Sequence, residues 1–93
     1  MKKLSCGFEY EANVNLIKDY RYIRLSNVLV NGKEEEQIVA MDKMLDLIFG
    51  HEQAEALIDF LVEKYGYADV DEIGKAMSEA TESEAEEDED TKK

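Results

Sequence analysis

The residues that could bind a calcium ion are grouped between Asp69 and Gly74. Asp69, Asp71 and Gly74 match the first, third and sixth positions of an EF-hand loop. Ile73 stands at the fifth position, which needs a ligand oxygen, and Ala80 stands at the twelfth, which needs a bidentate glutamate. Because two ligands are missing, we interpret Asp69 as the N-cap of a helix instead.

A second stretch could have bound zinc. It starts at His51-Glu52 like the H-E-x-x-H motif, but the second histidine is absent, and we expect a solvated helix start there. The single cysteine, Cys6, has no histidine near it in the sequence and lies among alternating apolar residues, so we expect it to pack and not to act as a nucleophile. The sequence also has no glycine-rich phosphate loop. We therefore predict no catalytic residues, no metal site and no cofactor.

The composition limits the partners. The chain has 93 residues, enough for one domain, and carries 23 acidic against 11 basic residues, a formal net charge of −12. Nucleic acids and anionic membranes need clustered cations, so we expect neither as a partner. Glu9 and Glu11 interrupt any secretion signal, and no apolar run reaches the roughly 18 residues of a membrane span. We expect a cytoplasmic protein.

Two amphipathic helices, residues 34–49 and 52–65, form the predicted centre of the fold. Their apolar residues recur at steps of three and four, which is the helical period. Gly50 stands between them and suits a left-handed residue that ends a helix, and so short a connection makes the helices antiparallel neighbours. The stripes are Ile38, Met41, Met44, Leu45 and Ile48, and then Ala54, Leu57, Ile58, Leu61, Val62 and Tyr65.

Two further helices complete a mainly α domain of four helices over residues 1–77. The first covers residues 15–31, with Asn13 or Asn15 as its cap. The last covers residues 69–80 and has a stripe of Val70, Ile73, Met77 and Ala80. Eight of the 23 acids follow within residues 78–91, and such a run repels itself, so we predict an acidic, disordered tail at residues 81–93.

Residues 4–12 alternate between apolar and polar side chains, which is typical of a half-buried strand. A lone strand cannot satisfy its backbone. Three alternatives remain open: pairing with a second copy in a homo-oligomer, a short hairpin, or an extended cover on the helices.

Aromatic residues are the best candidates for partner binding, because tyrosine often anchors interfaces. Tyr20 and Tyr22 are about 200° apart on one helix, so both cannot enter the same core. The candidate partner-binding residues are Tyr20, Tyr22, Ile23, Phe60, Tyr65 and Tyr67.

The order of these parts resembles the tail assembly chaperones of long-tailed bacteriophages and prophages of Gram-positive bacteria. The similar features are Phe8–Tyr10, Asp19–Tyr22, the leucine-rich stretch Leu47–Gln53 and a last helix around Val70–Met77. The resemblance implies a non-enzymatic helical protein that coats the tape measure protein in the host cytoplasm and keeps it soluble. It also implies that the chaperone gives way to the tail-tube protein, a further partner, and is not retained in the mature virion.

The alternative is an acidic protein-interaction module of phage or bacterial origin, such as a DNA mimic or a regulator. Mimicry needs acids in rows on a folded face, whereas the densest acids here lie in the predicted tail.

Overall fold

The computed structural model describes the backbone of residues 1–92 and the side chains of residues 1–84. It confirms a mainly helical fold with four helices and a β-like N-terminal segment. The elements are β1 (Lys2–Lys3), β2 (Glu9–Tyr10), a 3₁₀ turn (Leu16–Lys18), α1 (Tyr20–Asn31), α2 (Glu34–Phe49), α3 (His51–Tyr65) and α4 (Val70–Lys92).

The core forms where α2, α3 and α4 meet the N-terminal segment. Leu57 and Leu61 of α3 are fully buried at its centre. Around them pack Met44, Leu45, Ile48 and Phe49 of α2, Ile73, Ala76 and Ala80 of α4, and Leu4, Phe8, Tyr10 and Leu16. By contrast, α1 has no fully buried residue and covers α2 from outside with Tyr22, Leu25 and Leu29. The helices therefore contribute unequally to stability, with α3 at the centre.

Gly50 alone joins α2 to α3. Its N–H donates to the Asp46 carbonyl at 2.7 Å, and its own carbonyl accepts from the Ala54 N–H at 2.8 Å, so one residue ends one helix and starts the next. Gly50 was predicted to adopt the left-handed helical conformation. Its φ of +83° and ψ of 149° show instead an extended conformation with positive φ. That region of backbone space is essentially restricted to glycine. The predicted stop glycine, Gly66, does adopt the left-handed conformation.

The predicted helix over residues 15–31 is divided in two. Asp19 is extended between the 3₁₀ turn and α1, and its carboxylate caps α1 by accepting from the Arg21 N–H at 2.9 Å. The Arg21 guanidinium also binds this carboxylate at 2.7 Å. Hydrogen bonds from the side chain and the backbone N–H of Arg21 hold the pKa of Asp19 below its usual value. The Asn13 side chain accepts from the Asn15 N–H at 3.1 Å, one residue before the 3₁₀ turn, and the turn itself has no side-chain cap. Asp19, not Asn13 or Asn15, thus caps α1.

Residues 4–12 are not one strand, and of the three alternatives the chain forms a short hairpin. Lys2 pairs with Tyr10 and Lys3 with Glu9, and the chain reverses through Gly7, whose φ is +105°. The alternating burial is retained, since Leu4, Phe8 and Tyr10 are buried against the helices. The hairpin therefore pairs its strands within one chain and does not need a second copy.

The fourth helix extends beyond its predicted end at residue 80. Its start is as expected, because Asp69 accepts from the Asp71 N–H at 2.8 Å. Residues 81–84 were assigned to the tail, but they belong to α4, and Glu84 is buried with Lys2 Nζ 3.5 Å from its Oε1. The predicted end of the helix at residue 80 was therefore too early. The helix continues because Lys2 of the hairpin offsets the negative charge of Glu84, which would otherwise repel the neighbouring acids. The rest of the predicted tail, residues 85–93, lies outside the residues whose side chains are described.

The hairpin is fastened to α4 at its tip. The Ser5 N–H and hydroxyl donate to the two carboxylate oxygens of Glu79 at 2.7 and 2.5 Å. The side-chain hydrogen bond from Ser5 is the main cause that lowers the pKa of Glu79. These hydrogen bonds therefore favour the charged form of the Glu79 carboxylate.

We predict that Glu79→Gln lowers the free energy of unfolding at neutral pH. Because the folded-state pKa of Glu79 is depressed, its contribution is present above the unfolded pKa and is lost as the pH falls through the folded pKa. Urea unfolding should show a shallower loss of stability below about pH 5 for this variant than for the natural protein. Glu82→Gln, at an exposed position on the same helix, is the control and should retain the natural pH dependence. Equal pH profiles for Glu79→Gln and the natural protein would contradict the assignment.

Two glycines give opposite predictions for alanine substitution. Gly50→Ala should lower the free energy of unfolding by about 1–3 kcal/mol, because alanine rarely adopts the positive φ of this position. A Cβ there would meet no atom within 4 Å, so the backbone conformation is the only obstacle. Gly74→Ala should stabilise by about 0.5–1 kcal/mol, because Gly74 lies inside α4 with open space beside it. Urea denaturation of both variants measures the two signs, and a neutral Gly50→Ala would disprove the role of this joint.

Candidate protein-binding groove

The apolar stripes of α2, α3 and α4 are only partly covered. Near Gly50 they form the core, but at the start of α2, the end of α3 and the start of α4 they open to solvent. Ile38 is 65% exposed, Val62 43% and Val70 68%. The sequence had assigned all three residues to stripes that a core would bury, so the structure corrects that part of the prediction.

An open groove of about 270 Å³ lies between α2, the middle of α3 and the start of α4. We call it the α2–α4 groove. Its lining is apolar apart from the carboxylate of Asp42. The lining residues are Ile38, Met41, Asp42, Leu45, Ile58, Ala68, Val70 and Ile73. A concave apolar surface with a single charged residue is suited to receiving apolar side chains of another chain.

The connection between α3 and α4 determines the position of the groove. Gly66 ends α3 in the left-handed conformation, and Asp69 begins α4 as its cap. The Tyr67 hydroxyl donates to Asp69 Oδ2 at 3.0 Å, and this hydrogen bond raises the pKa of Tyr67. The short turn brings Ala68 and Val70 opposite Ile38 of α2, so the groove follows from the turn chemistry of residues 66–69.

The six predicted partner-binding residues do not form one surface, and none of them lines the α2–α4 groove. Tyr20 and Ile23 are 67% and 56% exposed on the outer side of α1, whereas Tyr22 is half-buried against the core. This agrees with the angle of about 200° between the two tyrosines.

The other three predicted residues lie on or after α3. Phe60 packs edge-on against Phe8, with ring centroids 5.6 Å apart, and is occupied within the fold. Tyr65 and Tyr67 are exposed on either side of Gly66. The Lys64 ammonium lies 5.4 Å from the centre of the Tyr65 ring, and Tyr65 is not a lining residue of the groove.

The groove residues were not identified from the sequence as a binding site, because they are aliphatic residues of the helical stripes. Ile38 and Val70 fit the helical period as well as any core residue, so periodicity could not separate them from the core. The available signal was their position, since Ile38 comes in the second turn of α2 and Val70 is the first residue of α4. Stripe residues near helix ends can extend past the point where the neighbouring helix covers them.

The residues considered for chemistry are separate in the structure. His51 Nδ1 lies 3.4 Å from Asp46 Oδ1 at an exposed position, and Cys6 is half-buried in the hairpin turn. Within the described part of the chain, no three side chains of the metal-binding types converge. Over the same residues, none of the helices combines the length and apolar character needed to cross a membrane.

Comparison of the chain with models of protein families, with curated proteins and with solved structures identified no match. The function is therefore inferred from the groove, the charge and the sequence resemblance.

If the groove is open in solution, substitutions at its exposed rim should hardly change the free energy of unfolding, whereas a substitution at its buried floor should lower it. Ile38→Ser and Val70→Ser should each change the free energy of unfolding by less than about 0.5 kcal/mol, because these side chains are largely exposed. Leu45→Ala, at a groove residue that is only 4% exposed, should cost about 2–5 kcal/mol. Urea denaturation measures all three, and a large loss at Ile38 would show that the groove is closed in solution.

Proposed function

We propose that this protein is a tail assembly chaperone of a long-tailed bacteriophage or prophage of Gram-positive bacteria, and that the α2–α4 groove binds apolar helices of the tape measure protein. The observation that carries the proposal is the open groove itself. Parts of the apolar stripes of α2 and α4, with the spacing of core residues, remain uncovered at this groove.

The groove fits one face of a helix and not a whole helix. A helix is about 10 Å across, and its apolar side chains project on one side at steps of three and four residues. Ile38 and Val70 would form the rim, and Leu45 and Ile73 the buried floor. Apolar helices dock in this way in other helix-in-groove complexes, with affinity from burial and little demand for a particular sequence. Such tolerance suits a long client with many similar segments.

The negative net charge of the protein supports a temporary association with the tape measure protein. A net charge of −12 on each copy makes neighbouring copies repel, which favours displacement and keeps the coated client soluble. In this proposal the chaperone covers the tape measure protein in the host cytoplasm. The tail-tube protein then replaces it, so the chaperone is absent from the mature virion.

Co-expression with a tape measure fragment tests the proposal. The natural protein should yield a soluble complex, whereas the double variant Ile38→Asp, Val70→Asp should leave the fragment insoluble, because it places charge in an apolar site. Val14→Asp is the control, since Val14 is 69% exposed and lies outside the groove. If the double variant is folded and still keeps the fragment soluble, the groove is not the client site. A fragment that stays insoluble beside abundant natural protein would contradict the function.

The same assay separates a chaperone from an acidic interaction module. Replacing the five acids at positions 86–90 by their amides should leave client binding intact, because the proposed contacts come from the apolar side chains of the groove lining. If binding to the partner depended on these acids and not on the groove, the acidic module would be favoured. Circular dichroism of each variant confirms that the helices are retained.

A further inference from the structure

A second groove lies between α1 and α2 and shares no residue with the α2–α4 groove. It has a volume of about 400 Å³, and we call it the α1–α2 groove. Its middle is apolar, and its ends are charged. The lining residues are Arg24, Leu25, Val28, Glu35, Glu36, Val39, Ala40 and Lys43.

The charges divide between the two ends because α1 and α2 are antiparallel. Only Gly32 and Lys33 connect them, and the Gln37 amide donates to the Leu29 carbonyl at 3.1 Å, as expected for neighbouring turns on either side of a reversal. Arg24 and Lys43 therefore lie at one end, where they also line a neighbouring cleft with Arg21 and Asp46, so bases outnumber acids three to one there. Glu35 and Glu36 lie at the other end, eight and seven residues before Lys43, which is about 11 Å along the helix.

The charge pattern of the α1–α2 groove is complementary to the same groove of a second copy. A two-fold axis through the middle of the groove places the basic end of one copy on the acidic end of the other, and does so twice. The apolar middle of each copy then meets the same surface of its partner, with Val39, 53% exposed, at the centre. A partner of uniform charge would instead meet like charge at one end of the groove, which costs affinity.

We propose that the α1–α2 groove binds a second copy of this chain to form a two-fold symmetric dimer. In a protein with a net charge of −12, most surfaces of two copies repel, and this groove offers a pairing in which opposite charges meet across an apolar strip. The proposal is independent of client binding, because it uses the opposite part of the α2 surface. It also differs from the strand pairing considered for residues 4–12, which the hairpin satisfies internally.

A charge exchange tests the dimer by sedimentation from about 1 μM to about 1 mM protein at physiological salt, the range in which weak complexes dissociate. The natural protein should dimerise. Lys43→Glu and Glu35→Lys should each weaken homodimerisation by about tenfold or more, because like charges then face each other at both contacts. An equimolar mixture of the two variants should form a heterodimer, since the acid introduced at position 43 of one variant then meets the base introduced at position 35 of the other.

Lys75→Glu and Glu55→Lys are the matched controls, with the same charge changes at exposed positions outside the groove, and should dimerise like the natural protein. Val39→Asp should abolish the dimer while the helical circular dichroism and the client binding persist. A natural protein that is monomeric at the highest concentration would overturn the proposal. So would folded single variants that dimerise normally, or a mixture that forms no heterodimer.

Discussion

Burial of Leu57 and Leu61 is the interaction on which the rest of the structure depends. Both side chains are fully covered, and α2, α4 and the N-terminal hairpin all pack around them. Complete burial of one leucine contributes roughly 1.5–3 kcal/mol, a large share of the stability of a domain this small. Because these contacts concentrate the core near the Gly50 joint and the middle of α3, the far ends of the same stripes lack neighbours. The open groove is thus a consequence of where the core lies.

Periodicity predicted the fold well, but it could not predict which residues are covered. The bounds of α2 were predicted correctly, because its acids, apolar stripe and terminal glycine all agree. The division of the first helix at Asp19 was missed, since the capping preference of an aspartate competes with a helical pattern that continues through it. The extent of α4 was missed because Lys2, far away in sequence, offsets Glu84. Likewise, the exposure of Ile38 depends on how α4 packs against α2, and no local pattern in either helix encodes that packing.

Charge and apolar surface have separate places on the molecule. The α2–α4 groove has one carboxylate in its lining, whereas the α1–α2 groove carries two bases and two acids at opposite ends. Acids elsewhere hold the fold together, as Glu79 does at Ser5 and Glu84 at Lys2. An overall charge of −12 therefore does not describe any single surface. It sets a general repulsion between copies, whereas the local chemistry of each groove determines which partner that groove would fit.

The central claim is that the α2–α4 groove receives apolar side chains of a client helix. Methyl NMR of the protein, titrated with an amphipathic helical peptide from a tape measure protein, tests it most directly. The methyl signals of Ile38, Met41, Ile58, Val70 and Ile73 should shift together and saturate, while those of Val14 and Val30 stay in place. Shifts confined to α1, or no saturable shift in the groove, would contradict it.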